Sequence, residues 1–196
     1  MTTDTPLLPG HYYHIYNRGN NGADIFLEER NYRYFLQLYA HHIQPAAETF
    51  AYCLLRNHFH FLVRILADEE RQTAPVSETG AVLIRPPHRH FNNFFISYAK
   101  AINKAYRRTG SLLEKPYRRK IVDNTGYFTQ LIAYIHQNPQ KHNFVDDFRD
   151  WPWSSYYTLT TTKPTHLKRD FVVNSFGGID QFVEAHRSEI SVEIEW

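Results

Sequence analysis

The spacing of apolar residues switches between a period of two and one of about 3.6 along this chain, in the order strand, helix, strand, strand, helix, strand, helix. Few folds accommodate that order. Tyr12-Tyr13-His14-Ile15-Tyr16 reads as a strand, closed by the turn-forming run Asn17-Arg18-Gly19-Asn20-Asn21-Gly22. From Leu27 to His42 the spacing is helical. Thr49 to Leu55 and His58 to Ile65 are short β-prone runs joined at Arg56-Asn57, which predicts neighbouring antiparallel strands. Pro75, Gly80, Pro86 and Pro87 mark residues 67–89 as a long loop, a feature that in a compact domain is usually functional or mobile. A second helix is predicted from about His90 to Arg107, with Phe91, Phe94, Phe95, Tyr98 and Ile102 along one side. Leu112 to Val122 follows as a basic, irregular hairpin or strand. A third helix starts near Asn124 or Thr125, both good N-cap types, and is expected to stop at the Asn138-Pro139 step.

This order predicts an α+β fold of the ferredoxin-like, split βαβ kind: an antiparallel sheet with helices packed on it. Residues 1–10 read as a leader, 11–142 as the domain, and 143–196 as a C-terminal extension packed through Trp151, Trp153, Tyr156 and Phe176. The whole chain has 196 residues, enough for one domain with an appendage and too few for two full ones. A lone cysteine, Cys53, excludes a disulfide framework and a multi-cysteine zinc site. No stretch approaches the ~20 apolar residues needed to span a bilayer, and residues 1–10 have neither the basic nor the apolar region of a secretory signal. A soluble cytoplasmic protein, with no membrane partner, is the expectation.

Charge is informative only when resolved along the chain. The 22 Lys+Arg and 20 Asp+Glu leave a formal net charge of +2, which excludes a uniformly basic, tail-type nucleic-acid binder. Yet Lys100, Lys104, Arg107, Arg108, Lys115, Arg118, Arg119 and Lys120 crowd one stretch against the single acid Glu114, with Tyr106 and Tyr117 among them. An acidic C-terminal part hides this patch in the total. A solvated helix face accounts for Lys100 and Lys104. It accounts less well for Lys115-Pro116-Tyr117-Arg118-Arg119-Lys120, which suits phosphate contacts and base stacking.

Two further constellations carry chemistry. His58 and His60 lie two apart on a strand, so both imidazoles face one way, side by side, and such a pair is able to hold a divalent cation. In a chain with 12 histidines, the plainer reading is two histidines on a half-exposed strand. On the third helix, Phe128, Leu131, Ile132 and Ile135 form the core stripe, and Tyr134 and Asn138, four apart, stack beside it. With 14 tyrosines in the chain, periodicity alone does not select Tyr134, and Tyr127, one heptad earlier, is its rival.

Taken together, these residues resemble the IS200-like family of HUH, single-tyrosine transposases, and within it the branch associated with repetitive extragenic palindromes (REP). The resemblance runs over about residues 10 to 180. It rests on Tyr16-Asn17-Arg18-Gly19, Asn57-His58-Phe59-His60-Phe61-Leu62-Val63, Leu113 to Lys120, Tyr134-Ile135-His136-Gln137-Asn138-Pro139, Trp151-Pro152-Trp153-Ser154-Ser155-Tyr156 and Phe176-Gly177-Gly178. One departure is Gln140-Lys141-His142-Asn143, where relatives carry smaller or more apolar residues.

The resemblance implies that residues 11–142 form a catalytic domain. His58, His60 and Asn138 would bind a divalent metal, Mg²⁺ or Mn²⁺, and Tyr134 would be the nucleophile. The implied activity is metal-dependent single-stranded DNA endonuclease and strand transferase: cleavage beside a REP-like hairpin through a 5′-phosphotyrosine intermediate. Arg18, Lys115, Arg118, Arg119 and Lys120 are expected on the DNA backbone, with Tyr117 as a stacking platform. The protein would act at the nucleoid, as a monomer or homodimer. Two rivals stand beside this reading. One is a catalytically silent hairpin-binding module on the same fold. The other is a histidine phosphodiesterase acting on RNA ends, which would need two His-x-Ser/Thr motifs in separate strands, a pair that the chain lacks.

Overall fold

The computed structural model describes residues 5–71, 85–188, 190 and 192. Its centre is a four-stranded sheet of β1 (Tyr12–Arg18), β2 (Ala47–Leu54), β3 (His58–Ile65) and β4 (Arg118–Val122), in the order β2-β3-β1-β4 with every neighbouring pair antiparallel. Helices α1 (Glu29–Ile43) and α2 (Pro87–Ala105) connect the strands, and α3 (Thr125–Lys141) follows β4. This is the expected α+β, ferredoxin-like arrangement.

Strand alternation divides the core in two. Tyr13, Ile15, Phe59, Phe61 and Val63 pack with Phe35 and Tyr39 of α1 and with Phe91, Phe94 and Tyr98 of α2. Phe50, Cys53, Leu62 and Val122 face the other way, against Phe128, Leu131, Ile132 and Ile135 of α3. The first face is nearly all rings; Tyr39 lies 4.3 Å from Phe61, stacked, and Phe35 meets Tyr98 edge-on at 4.7 Å. The sheet thus has an aromatic, sealed side and a second side shared with the helix that carries Tyr134.

Two boundaries differ from expectation, both at prolines. Helix α2 begins at Pro87 rather than near His90, because a proline in the first turn loses no helical hydrogen bond. Of the loop expected over residues 67–89, residues 72–84 lie outside the described residues, and a short 3-10 turn occupies Asp68–Glu70. Helix α3 does not stop at Asn138 but runs through Pro139 to Lys141. Pro139 is buried in the last turn, where a missing N–H costs a single bond. The turn beyond it still closes: His142 N–H donates to the Asn138 carbonyl and Phe144 N–H to that of Pro139.

Residues 143–188 add three short helices, α4 (Tyr156–Thr160), α5 (Arg169–Ser175) and α6 (Ile179–Ala185). They contact the domain at two places. Along the β2 edge, Leu54 N–H donates to the Trp153 carbonyl at 3.0 Å, Trp151 Nε1 donates to the Leu54 carbonyl at 2.8 Å, and Trp153 stacks on Tyr32. An otherwise open sheet edge is covered. Beneath α3, Tyr156, Val172 and Phe182 join the second core. No helix among the described residues is long and apolar enough to cross a membrane.

Candidate functional site

The turn after β1 sets the edge of the site. A Cβ at Gly19 would lie 1.8 Å from the Ala23 carbonyl oxygen, so only glycine allows this close approach. Buried Asn17 donates from Nδ2 to the Glu114 carbonyl and accepts from Arg18 N–H, while Glu114 N–H donates to the Arg18 carbonyl. The Asn17-Arg18-Gly19 run therefore clamps the segment preceding β4 against β1. Arg18 itself pairs with Glu114, Nε to Oε1 at 2.7 Å.

Register then assembles the side chains. Tyr16 lies opposite His60, Arg18 opposite His58, and on the other flank Tyr16 opposite Arg118 and His14 opposite Lys120. Cross-strand partners share a face, so His14, Tyr16, Arg18, His58, His60, Arg118 and Lys120 all belong to the side covered by α3. The imidazoles of His58 and His60 are 5.2 Å apart between centroids, nearly perpendicular. The Tyr134 ring meets His60 edge-on at 5.8 Å. His58, His60 and Asn138 are all buried, and Tyr134 is 7% exposed.

The donor atoms are chemically sorted. His58 Nδ1 is 2.7 Å from Asn57 Oδ1, and His60 Nδ1 is 2.9 Å from His14 Nε2. Burial, assisted by the charges of His142 and Arg18, lowers the pKa of His58 to about 3. Burial pushes His60 well below the usual histidine range too, with His14, His58 and His142 adding to it. Both rings are therefore neutral at physiological pH, the form that ligates a cation. Asn138 donates from Nδ2 to the Tyr134 carbonyl at 2.8 Å, and its Oδ1 is buried with no hydrogen-bond partner. An orphaned amide oxygen, one helical turn from the tyrosine that meets His60, together with two neutral imidazoles fits a divalent cation that accepts mixed nitrogen and oxygen donors. Among the described residues, no three His, Cys, Asp or Glu side chains form a metal-holding group, so the histidine pair alone does not complete such a site.

The phenol of Tyr134 is not activated by the chain alone. Burial pushes its pKa up to about 12, opposed by the Asn138 amide, while Tyr16 and Tyr127 raise it further. A cation is at hand: Lys141 Nζ stands 5.1 Å over the ring. Tyr127 carries Lys120 Nζ over its ring at 5.2 Å, and its hydroxyl is buried without a hydrogen-bond partner.

The expected DNA-contacting residues do not form one patch. Arg118 and Lys120 share the face of the histidines, whereas Arg119 points to the opposite side of β4 and donates to Tyr117 Oη at 2.9 Å and to the Thr5 carbonyl. Lys115, Tyr117 and Arg119 instead line a groove of about 750 Å³ against α2, with Lys100 and Asn103. Tyr117 does not offer an open stacking face. It is 7% exposed, packed on Phe91 and Phe95, because strand parity turns it into the aromatic core.

Residues outside the expected set also enter the site. His14 and Tyr16 stack at 4.5 Å, and the same alternation that aligns His58 with His60 would have pointed to them. His142 caps α3 with its ring 4.7 Å from that of His58, one turn beyond Asn138 on the line that starts at Tyr134. Continuing the four-residue spacing would have found it.

No family model matches the chain. It is 26% identical over 110 residues to a curated protein of Haemophilus influenzae, "Putative REP-associated tyrosine transposase", in a match covering 56% of this chain. The chain spans 59% of the length of that relative. Among solved structures it is similar to a REP-associated tyrosine transposase bound to a REP hairpin, with a TM-score of 0.61 and 16% identity, over 81% of this chain and 84% of that one. The curated relative bears out the resemblance read from the motifs, and the structural match shows that the fold is shared.

Proposed function

We propose that this protein is a metal-dependent single-stranded DNA endonuclease and strand transferase that recognises a REP-like hairpin and cuts beside it, acting at the nucleoid in the cytoplasm. The observation that carries this reading is that Tyr134 meets His60 and His142 meets His58, with Asn138 and its orphaned Oδ1 between Tyr134 and His142 on the same line of α3. The hairpin held by the solved structure of the same fold supports hairpin DNA as the partner.

His58, His60 and Asn138 would hold Mg²⁺ or Mn²⁺. When bound, the cation would neutralise charge on the scissile phosphate. Tyr134 Oη attacks phosphorus, the bond from phosphorus to the 3′-oxygen breaks, and the 5′-phosphate stays on the tyrosine. The phenol proton is lost and the departing 3′-oxygen gains one, so the products are a phosphotyrosine and a 3′-hydroxyl. Because the ester bond is conserved, that hydroxyl, or another, is able to reverse the step without ATP. Asn138 orients the helix turn that presents Tyr134, and the Lys141 ammonium over the ring favours the developing phenolate. β4 is an edge strand with Arg118 and Lys120 on the histidine face, so a DNA backbone tracking that face meets both cations, while Arg119 on the other side is held by Tyr117 and the Thr5 carbonyl.

The test is a labelled single strand carrying a palindrome, incubated with Mn²⁺ and separately with chelator. Cleavage beside the hairpin only in the presence of metal supports the reading. The burial that raises the Tyr134 pKa favours a second reading, a hairpin-binding module that no longer cuts, and tight binding without cleavage in Mg²⁺ or Mn²⁺ would establish it.

A further inference from the structure

His60 is able to ligate a cation through Nε2 only if its proton resides on Nδ1. Its Nδ1 faces a second imidazole: His14, fully buried on β1, has Nε2 2.9 Å away, the two rings 23° from parallel. Between two neutral imidazoles one nitrogen donates and the other accepts, which leaves two arrangements. If His14 donates, the His60 proton is driven to Nε2 and that nitrogen has no lone pair to offer. If His60 donates from Nδ1, its Nε2 is a ligand.

We propose that His14 is the positioning residue of the metal site, accepting the Nδ1–H of His60 and so holding Nε2 as the coordinating nitrogen. This inference rests on the metal-binding reading above. The neighbouring ligand is built on the same plan, since His58 Nδ1 is engaged by the Asn57 side chain. Such outer partners set the tautomer and ring orientation of a ligating histidine. The plane of His14 is itself held by Tyr16, stacked on it at 4.5 Å and 26°. The accepting role has a visible cost. It puts the proton of His14 on its Nδ1, which is buried with no hydrogen-bond partner. An apolar residue would fill this place in the sheet without that cost, so packing alone does not explain a histidine here.

The experiment uses the full chain without DNA. Calorimetry measures Mn²⁺ affinity in the wild type, His60→Ala, His14→Phe and His14→Gln, and ¹⁵N chemical shifts report which nitrogen of His60 is protonated in the metal-free protein. The expected result is His60 protonated on Nδ1. His14→Phe should bind Mn²⁺ about 10- to 100-fold more weakly, with its metal-free melting temperature kept or raised. His14→Gln, whose carbonyl accepts the same proton, should recover much of the loss. Wild-type affinity in His14→Phe, or a wild-type His60 protonated on Nε2, overturns the proposal. If the wild type and His60→Ala bind Mn²⁺ equally, the metal-binding reading itself fails, and the nitrogen assignment of His60 still decides the role of His14.

Discussion

The side-chain amide of Asn138 donates from Nδ2 to the backbone carbonyl of Tyr134, 2.8 Å away. A carbonyl only accepts, so the orientation of this amide is settled by chemistry: Nδ2 is committed along the helix, and Oδ1 is the atom left over. In the proposed site, two residues four apart on α3 thereby supply both the nucleophile and an oxygen donor.

Asn138→Ala should weaken Mn²⁺ binding by about tenfold, the loss expected for removal of one neutral oxygen donor. Hairpin affinity should be unchanged and stability lowered by about 1 kcal/mol for the lost hydrogen bond. Calorimetry with Mn²⁺ and a binding titration with hairpin DNA separate these effects. Equal metal affinity in the variant would remove Asn138 from the ligand set.

His60→Ala should reduce cleavage by on the order of 10²-fold or more while leaving hairpin affinity within about twofold. The check is to measure both in the same buffer. Parallel loss of cleavage and binding would mean that the ring, buried against His14 and Tyr134, serves the fold and not the chemistry.

The split of basic residues across β4 gives an electrostatic prediction. Each phosphate contact contributes about 0.7 to 0.9 to the slope of log affinity against log salt. Arg118→Ala and Lys120→Ala should each lower that slope by about this amount on a hairpin substrate. Arg119→Ala should chiefly lower thermal stability, because its guanidinium is hydrogen-bonded to Tyr117 and to the Thr5 carbonyl. Identical slopes in all three variants would contradict a backbone running along the β4 edge.

His186 links α6 to α3: its Nε2 is 2.8 Å from His136 Nδ1, and its Nδ1 donates to the Phe182 carbonyl. Burial lowers its pKa to about 4, partly opposed by the bond to Phe182. The folded state therefore binds its proton less readily than the unfolded chain. The contribution to stability is complete above about pH 6.5 and is lost as pH falls from there towards about 4. Folding stability should fall over this window, with His186 adding about 1 kcal/mol per pH unit at the steepest to the loss from the other buried histidines, and NMR should find the ring still neutral at pH 5.5. A flat profile would contradict this account of the helix contact.

Much of this was legible from residue order. The switch between periods two and about 3.6 gave the strand and helix sequence, and the two-residue step of His58 and His60 gave their shared face. Helix ends at Pro87 and Pro139 depart from the sequence expectation because a proline rule speaks of the local backbone, whereas the observed ends depend on position within a turn and on burial. The basic run was visible as composition, but which of Arg118 and Arg119 faces the histidines depends on the register of β4 against β1. A hairpin-like, irregular stretch does not reveal that. Alternation puts His14 on one face of β1, but its contact with His60 is not legible locally, because that partner lies 46 residues away in a strand whose pairing with β1 no local pattern states.

The most direct test of the account is the covalent intermediate itself. A single strand carrying the hairpin and labelled on its 3′ side is incubated with Mn²⁺, and the protein is then digested and its peptides analysed by mass spectrometry. The account predicts a DNA-linked peptide containing Tyr134, absent in Tyr134→Phe although that variant binds the hairpin as the wild type does. An undiminished adduct in Tyr134→Phe, carried by Tyr127 or another residue, would contradict it.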